Sequence, residues 1–303
     1  MNAHVSAHRE AGLRLLTSVL AIGFVVGACS SAGPSAPTTP SPIPSPTPAP
    51  AYRLATGPAD PILQVDTDGG LVPPGYFLAH LPEFSLFGDG RVVVPGPLDT
   101  IYPAPLLPNL LESRLTPLEM QKVVGAADRA GLLGPDAAFQ VDGVADAPTT
   151  VFTTTVGGVT HRVSAYALGI DVPTTSPEVA AALGRLATFR AQLGDLAALV
   201  GRNPAQSPFG PDGLRIFAGT PSSVDPPLVR QELAWPLKTD PASGTPSRAG
   251  TRCLVVRGED LAEFDAAAAS ANALTVWKAD SGRYSVVVRP LLPNETGCPA
   301  AAG

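Results

Sequence analysis

The chain has 303 residues, of which 45% are hydrophobic and 15% charged, enough apolar material for one or two packed domains. A net charge of −6, with no basic run interleaved by aromatics, excludes nucleic-acid binding and gives no attraction to an anionic membrane surface. Proline, at 35 residues, predicts long irregular connections between short elements.

Arg9 and Arg14 precede an apolar run from Leu15 to Ala28. A stable span needs roughly 20 residues, so this run fits the apolar region of a signal peptide better. It ends in Val26-Gly27-Ala28-Cys29, which resembles the lipobox of bacterial lipoproteins. In that family the cysteine receives a diacylglycerol and a peptidase cuts just before it. Residues 1–28 are therefore expected to be a lipoprotein signal peptide, with Cys29 lipidated and the chain held at the outer face of the cytoplasmic membrane. An ordinary signal peptide with an incidental Cys29, or a simple transmembrane anchor, are the alternatives. Removing residues 1–28 takes away two Arg and one Glu, which moves the charge from −6 to −7.

Residues 30–50 hold eight Pro and eight Ser or Thr and almost nothing hydrophobic. Such a tract cannot offset its ordering entropy by burial. Residues 29–51 are read as the lipidated cysteine and a disordered spacer. At about 3.1 Å per residue it reaches roughly 60 Å.

Beyond it, Ile62–Asp66 predicts a strand closed by Asp68-Gly69-Gly70. Phe84–Phe87 and Arg91–Val94 flank Gly88-Asp89-Gly90 as a hairpin, followed by Pro-rich loop over 95–110. Thr116-Pro117-Leu118-Glu119 combines an N-cap, a first-turn proline and a capping-box glutamate, and opens a helix ending near Gly131 or Gly134. A second hairpin turns at Gly157-Gly158 between Thr150–Val156 and Val159–Ala167. From Ser176, apolar residues at three- and four-residue spacing predict one helix of about 22 residues, ending at Gly201. Strands near 214–218 and 253–257, a helix over 260–272 and a hairpin of 274–278 with 284–289 complete the series. The boundary falls in 201–213, giving an N-terminal α+β domain over 52–203 and a C-terminal one over 204–303.

The expected class is α+β, antiparallel hairpins packed with a few helices. Pro105-Leu-Leu-Pro-Asn109 recurs as Pro290-Leu-Leu-Pro-Asn294, each after a hairpin whose second strand reads Gly-Arg and then carries three Val. This suggests two diverged copies of one α/β unit, against the alternative of chance in a chain rich in Pro, Leu and Val.

With Cys29 set aside, Cys253 and Cys298 remain, and two cysteines in an exported domain read as one disulfide. Chemistry-bearing signals are sparse. After processing only His80 and His161 remain, and no GxSxG, SxxK, HExxH or P-loop pattern occurs. Asp66-Thr67-Asp68-Gly69 mimics the start of a calcium loop but lacks its later glycine and glutamate, so a strand-ending turn is expected instead. Asp136, Asp142 and Asp146 read as solvated loop acids. Trp277 and Arg289, close across the final hairpin, are the candidate recognition surface, with core packing as the alternative for the tryptophan. No catalytic residue, metal ligand or cofactor is expected.

The chain resembles a family of uncharacterised actinobacterial lipoproteins. The likeness rests on the lipobox and spacer, Phe84–Val94, Thr116–Leu133, and Arg289-Pro-Leu-Leu-Pro-Asn-Glu295 ahead of Cys298. It implies the export address and an exported α+β domain, and it carries no functional residue over. The leading expectation is a non-enzymatic envelope module that binds an envelope protein or wall ligand. A cell-envelope hydrolase using carboxylates and a transporter-associated substrate-binding lipoprotein are the alternatives.

Overall fold

The computed structural model describes residues 51–72, 75–98, 100–170, 176–223 and 228–299. The signal peptide, Cys29 and nearly all of the spacer lie outside them. In chain order the first part comprises β1 (Pro61–Gly69), α1 (Tyr76–Ala79), β2 (Phe84–Phe87), β3 (Arg91–Pro95), β4 (Leu110–Arg114), α2 (Pro117–Arg129), β5 (Ala137–Phe139), β6 (Pro148–Val156) and β7 (Val159–Tyr166). There follow α3 (Pro177–Gly194), α4 (Leu196–Val200) and β8 (Gln206–Pro208). The second part holds β9 (Leu214–Gly219), β10 (Glu232–Ala234), β11 (Thr245–Pro246), β12 (Arg252–Val256), α5 (Gly258–Ala268), β13 (Val276–Ala279) and β14 (Gly282–Pro290). Two mixed sheets with helices against them make this an α+β fold. Both belong to the unit Pro50–Gly303.

The first sheet runs β5-β7-β6-β1-β2-β3-β4-β8. Its pairing follows from turn chemistry. Gly157 and Gly158, at φ 62° and 81°, supply the two positive dihedrals that a tight hairpin between β6 and β7 requires. A register shift at Ile62 puts both Ile62 and Leu63 in the core, where Leu63, Val65, Phe84, Leu86 and Val92 meet α2 and α3. The opposite face carries Phe87, Val93 and Leu110. β8, beyond the expected boundary at residue 203, pairs with β4 in this sheet.

Helix α2 starts as the sequence requires. The Glu119 N–H donates to the Thr116 hydroxyl, and the Glu119 carboxylate accepts from the Thr116 N–H at 2.8 Å. The same carboxylate takes two bonds from Arg202, at 2.5 and 2.8 Å, which fastens the segment after α4 to the start of α2. Lys122 of α2 donates to the Val200 carbonyl, satisfying an acceptor at the C-terminus of α4.

The single helix expected from Ser176 to Gly201 is two. Asp195 leaves helical geometry at φ −118°, ψ 64°, and its carboxylate accepts from the Ala198 N–H, so it ends α3 and caps α4. α5 stops at Ala268 rather than 272: the Ser270 N–H and hydroxyl both donate to the Ala267 carbonyl, and Asn272 then opens a turn in which its side chain accepts from the Leu274 N–H. β8 lies in the stretch read as a domain boundary, and β4 begins at the last residue of the expected 95–110 loop.

The second sheet runs β10-β13-β14-β9-β12-β11. Leu214, Ile216, Val286, Val288 and Trp277 face α5, while Phe217, Cys253 and Val287 face the other way, toward α1. The two-copy reading fails here. In the first sheet the strand ahead of the hairpin, β1, pairs with β2, the hairpin's first strand; in the second the strand ahead of the hairpin, β12, pairs with neither hairpin strand, because β9 lies between it and β14. A duplicated unit keeps its strand order, so the shared Pro-Leu-Leu-Pro-Asn motif is not the mark of a common fold unit.

Candidate functional site

Among the described residues two concavities stand out. The larger is a groove of about 970 Å³ between the helix-facing side of the first sheet and α3–α4. Its floor is Val65, Phe84, Val92, Val94 and Leu111. The helix wall presents Ala187, Ala191 and Gly194, small residues four and three apart and therefore on one face. These small side chains leave space against the sheet, while Arg190 from the same face turns to Glu83. At the rim Glu83 and Arg190 form a two-pronged pair at 2.8 and 2.5 Å. The groove's other carboxylate, Asp195, is occupied in capping α4.

The smaller cleft, about 350 Å³, lies where the remaining faces of the two sheets approach each other. Arg215 of β9 and Arg289 of β14 are direct cross-strand neighbours on one face. Two like charges so placed repel. The C-terminal segment answers this: Glu295 accepts from Arg215 Nη1 at 3.1 Å and from Arg289 Nη1 at 2.6 Å. Burial pushes the Glu295 carboxyl up, but Arg289, the Leu292 N–H and Arg215 together outweigh it and leave it below the usual range. Burial lowers the Arg215 guanidinium from its ordinary value. Across the cleft His80 Nε2 bonds to Asp66, and this hydrogen bond raises the imidazole above its usual range despite burial. The His80 carbonyl accepts from Arg289 Nε at 2.6 Å, so α1 is tied to β14.

Cys253 and Cys298 form a disulfide, with S–S 1.95 Å and Cα–Cα 5.9 Å. It pins the tail beside Phe217 and so delivers Glu295 to its two arginines. The structure does not bring Trp277 and Arg289 together. Trp277 pairs with Tyr284, and Arg289 lies five residues further along β14, an odd step that points it to the opposite face. Trp277 is fully buried, in ring contact with Trp235 and Phe264 at 5.9 and 5.7 Å. It is a core residue, and the expected surface built from the two is corrected accordingly. His161 stands on β7 opposite Thr154, away from both concavities.

Among the described residues no three His, Cys, Asp or Glu side chains gather as metal ligands, and no helix is long and apolar enough to cross a membrane. Glu295 escaped the sequence reading. The signal for it was the disulfide, which limits where residues 291–297 can lie relative to β12 and hence to β9. Comparison with known proteins found no matching family model, no matching curated protein and no matching solved structure.

Proposed function

We propose that this protein is a lipid-anchored, extracytoplasmic binding module without catalytic activity, whose ligand is a small apolar molecule held between the first sheet and α3–α4. The groove carries this reading: about 970 Å³ of space over an aliphatic and aromatic floor, with Glu83 and Arg190 paired to each other and Asp195 engaged in capping α4. Water in such a space gains little from its walls, and an apolar ligand that replaces it buries surface on both sides. The anchor is Cys29 and the Pro-rich spacer supplies reach, so the groove would be presented to molecules outside the membrane.

Nile red titration of the mature full-length chain tests it. A Cβ on Gly194 meets nothing within 4 Å, so a side chain there enters open groove without displacing backbone. Gly194→Leu should leave the melting temperature unchanged or higher, since leucine favours helix over glycine, and weaken Nile red binding by about tenfold, roughly 1.4 kcal/mol. Absence of saturable binding to the unaltered protein, or equal binding by the stable variant, overturns the reading.

A further inference from the structure

We propose that the cleft between the two sheets is a second, independent binding site, for a small oxyanion bearing a carboxylate or a phosphate. The argument begins with the arithmetic of its walls. Arg215, Arg289 and Arg248 contribute three positive charges; Asp66 and Glu295 contribute two negative ones. One of those negatives is already answered by His80, whose ring bonds to it. The other, Glu295, is shared between two guanidiniums, so that pair keeps a surplus positive charge at side-chain exposures of only 13% and 10%. A chain with 26 acids against 20 Lys and Arg concentrates positive charge here against its overall trend.

Geometry carries the rest. Arg215 spends Nε on the Gly297 carbonyl and Nη1 on Glu295. Arg289 spends Nε on His80 and Nη1 on Glu295 and the Pro290 carbonyl. No Nη2 bond is made by either residue among the described residues. Neither Nη2 is among the sealed, unpartnered atoms, so each keeps access to solvent. Their donors are held by backbone bonds rather than by rotamer chance, which is the preorganisation that anion recognition uses. Arg248 adds a third guanidinium, exposed and without a side-chain partner among the described residues, on a turn whose Ala249 takes a left-handed φ of 53°. Leu78, Phe217 and Leu292 form apolar walls, and such surroundings strengthen a charge-assisted bond. The oxyanion sits between the two Nη2 groups and completes what Glu295 leaves unanswered.

Calorimetric titration of the mature full-length chain with sodium phosphate and, separately, sodium acetate tests this, with sodium chloride at matched ionic strength as control. One-site saturable binding of at least one oxyanion is expected, and the arm that binds more tightly identifies the headgroup. Arg248→Gln, at an exposed position, should keep the melting temperature and weaken that binding about tenfold. Glu295→Gln removes the internal competitor. The oxyanion should therefore raise the melting temperature of this variant more than that of the unaltered protein, whereas a purely structural cluster would show no such difference. No saturable heat from either oxyanion, or binding unaffected by Arg248→Gln together with no added protection of Glu295→Gln, overturns the proposal.

Discussion

Removing the Cys253–Cys298 link should cost about 4 kcal/mol. The bond closes a 45-residue separation, and loop-closure entropy released to the unfolded chain for such a loop is about 4 kcal/mol at 25 °C. In a folded unit of this size each kcal/mol moves the melting temperature by about 2–4 °C. The Cys253→Ala, Cys298→Ala double variant should therefore melt about 8–16 °C lower. Scanning calorimetry of the full-length chain, with and without reductant, reads the effect. Glu295→Gln in the double-variant background should cost less than in the oxidised protein, since a loosened tail no longer holds its carboxylate in place. A drop under about 3 °C in both the reduced protein and the double variant would refute the reasoning. The unfolded ensemble would then not be widened by opening the loop.

Phe264, fully buried between Trp235 and Trp277, should lose about 3–5 kcal/mol on replacement by Ala, read by urea unfolding; a loss under about 1 kcal/mol would mean the ring cluster collapses to fill the void. Thr154 is 0% exposed and its hydroxyl has no partner among the described residues, so Thr154→Val should gain about 1 kcal/mol, and a destabilised variant would reveal a bond the hydroxyl makes. Acid should weaken the α2–α4 region. Arg202 and Thr116 hold Glu119 down at about 2, against 4.5 unfolded, so its contribution is present above about pH 4.5 and disappears as the pH falls toward 2. Glu119→Gln should flatten that part of the stability profile, and an unchanged profile counts against it. His80 has the opposite sign. Its bond to Asp66 raises it above 6.5, so the stability it supplies is full below that value and fades as the pH climbs through the raised one; His80→Gln should abolish the fading.

Several features were fixed by neighbours a few residues apart, and the sequence therefore showed them. The capping box at Thr116 and Glu119, the glycine pair between β6 and β7, and the Gly-Asp-Gly turn between β2 and β3 all depend on local dihedrals and short-range hydrogen bonds. The disulfide followed from counting, because once Cys29 was assigned elsewhere only one pairing remained. The break at Asp195 was readable in principle, since aspartate favours a cap over a helix interior, but the apolar stripe running past it concealed the restart.

Tertiary structure decided the rest. β8, β10 and β11 are two or three residues long, and only the unpaired edge of a neighbouring strand makes them strands. The groove depends on α3 lying with its small residues toward the sheet, which the intervals 187, 191 and 194 permit and packing alone selects. The charged cleft depends on the register of β9 against β14, strands more than sixty residues apart in the chain. A slip of one position would turn Arg289 into the apolar core and Val288 out of it. Hydrophobic pattern forbids that slip, but which carboxylate then meets the two arginines is set by a covalent bond at Cys298 and not by any spacing along the sequence.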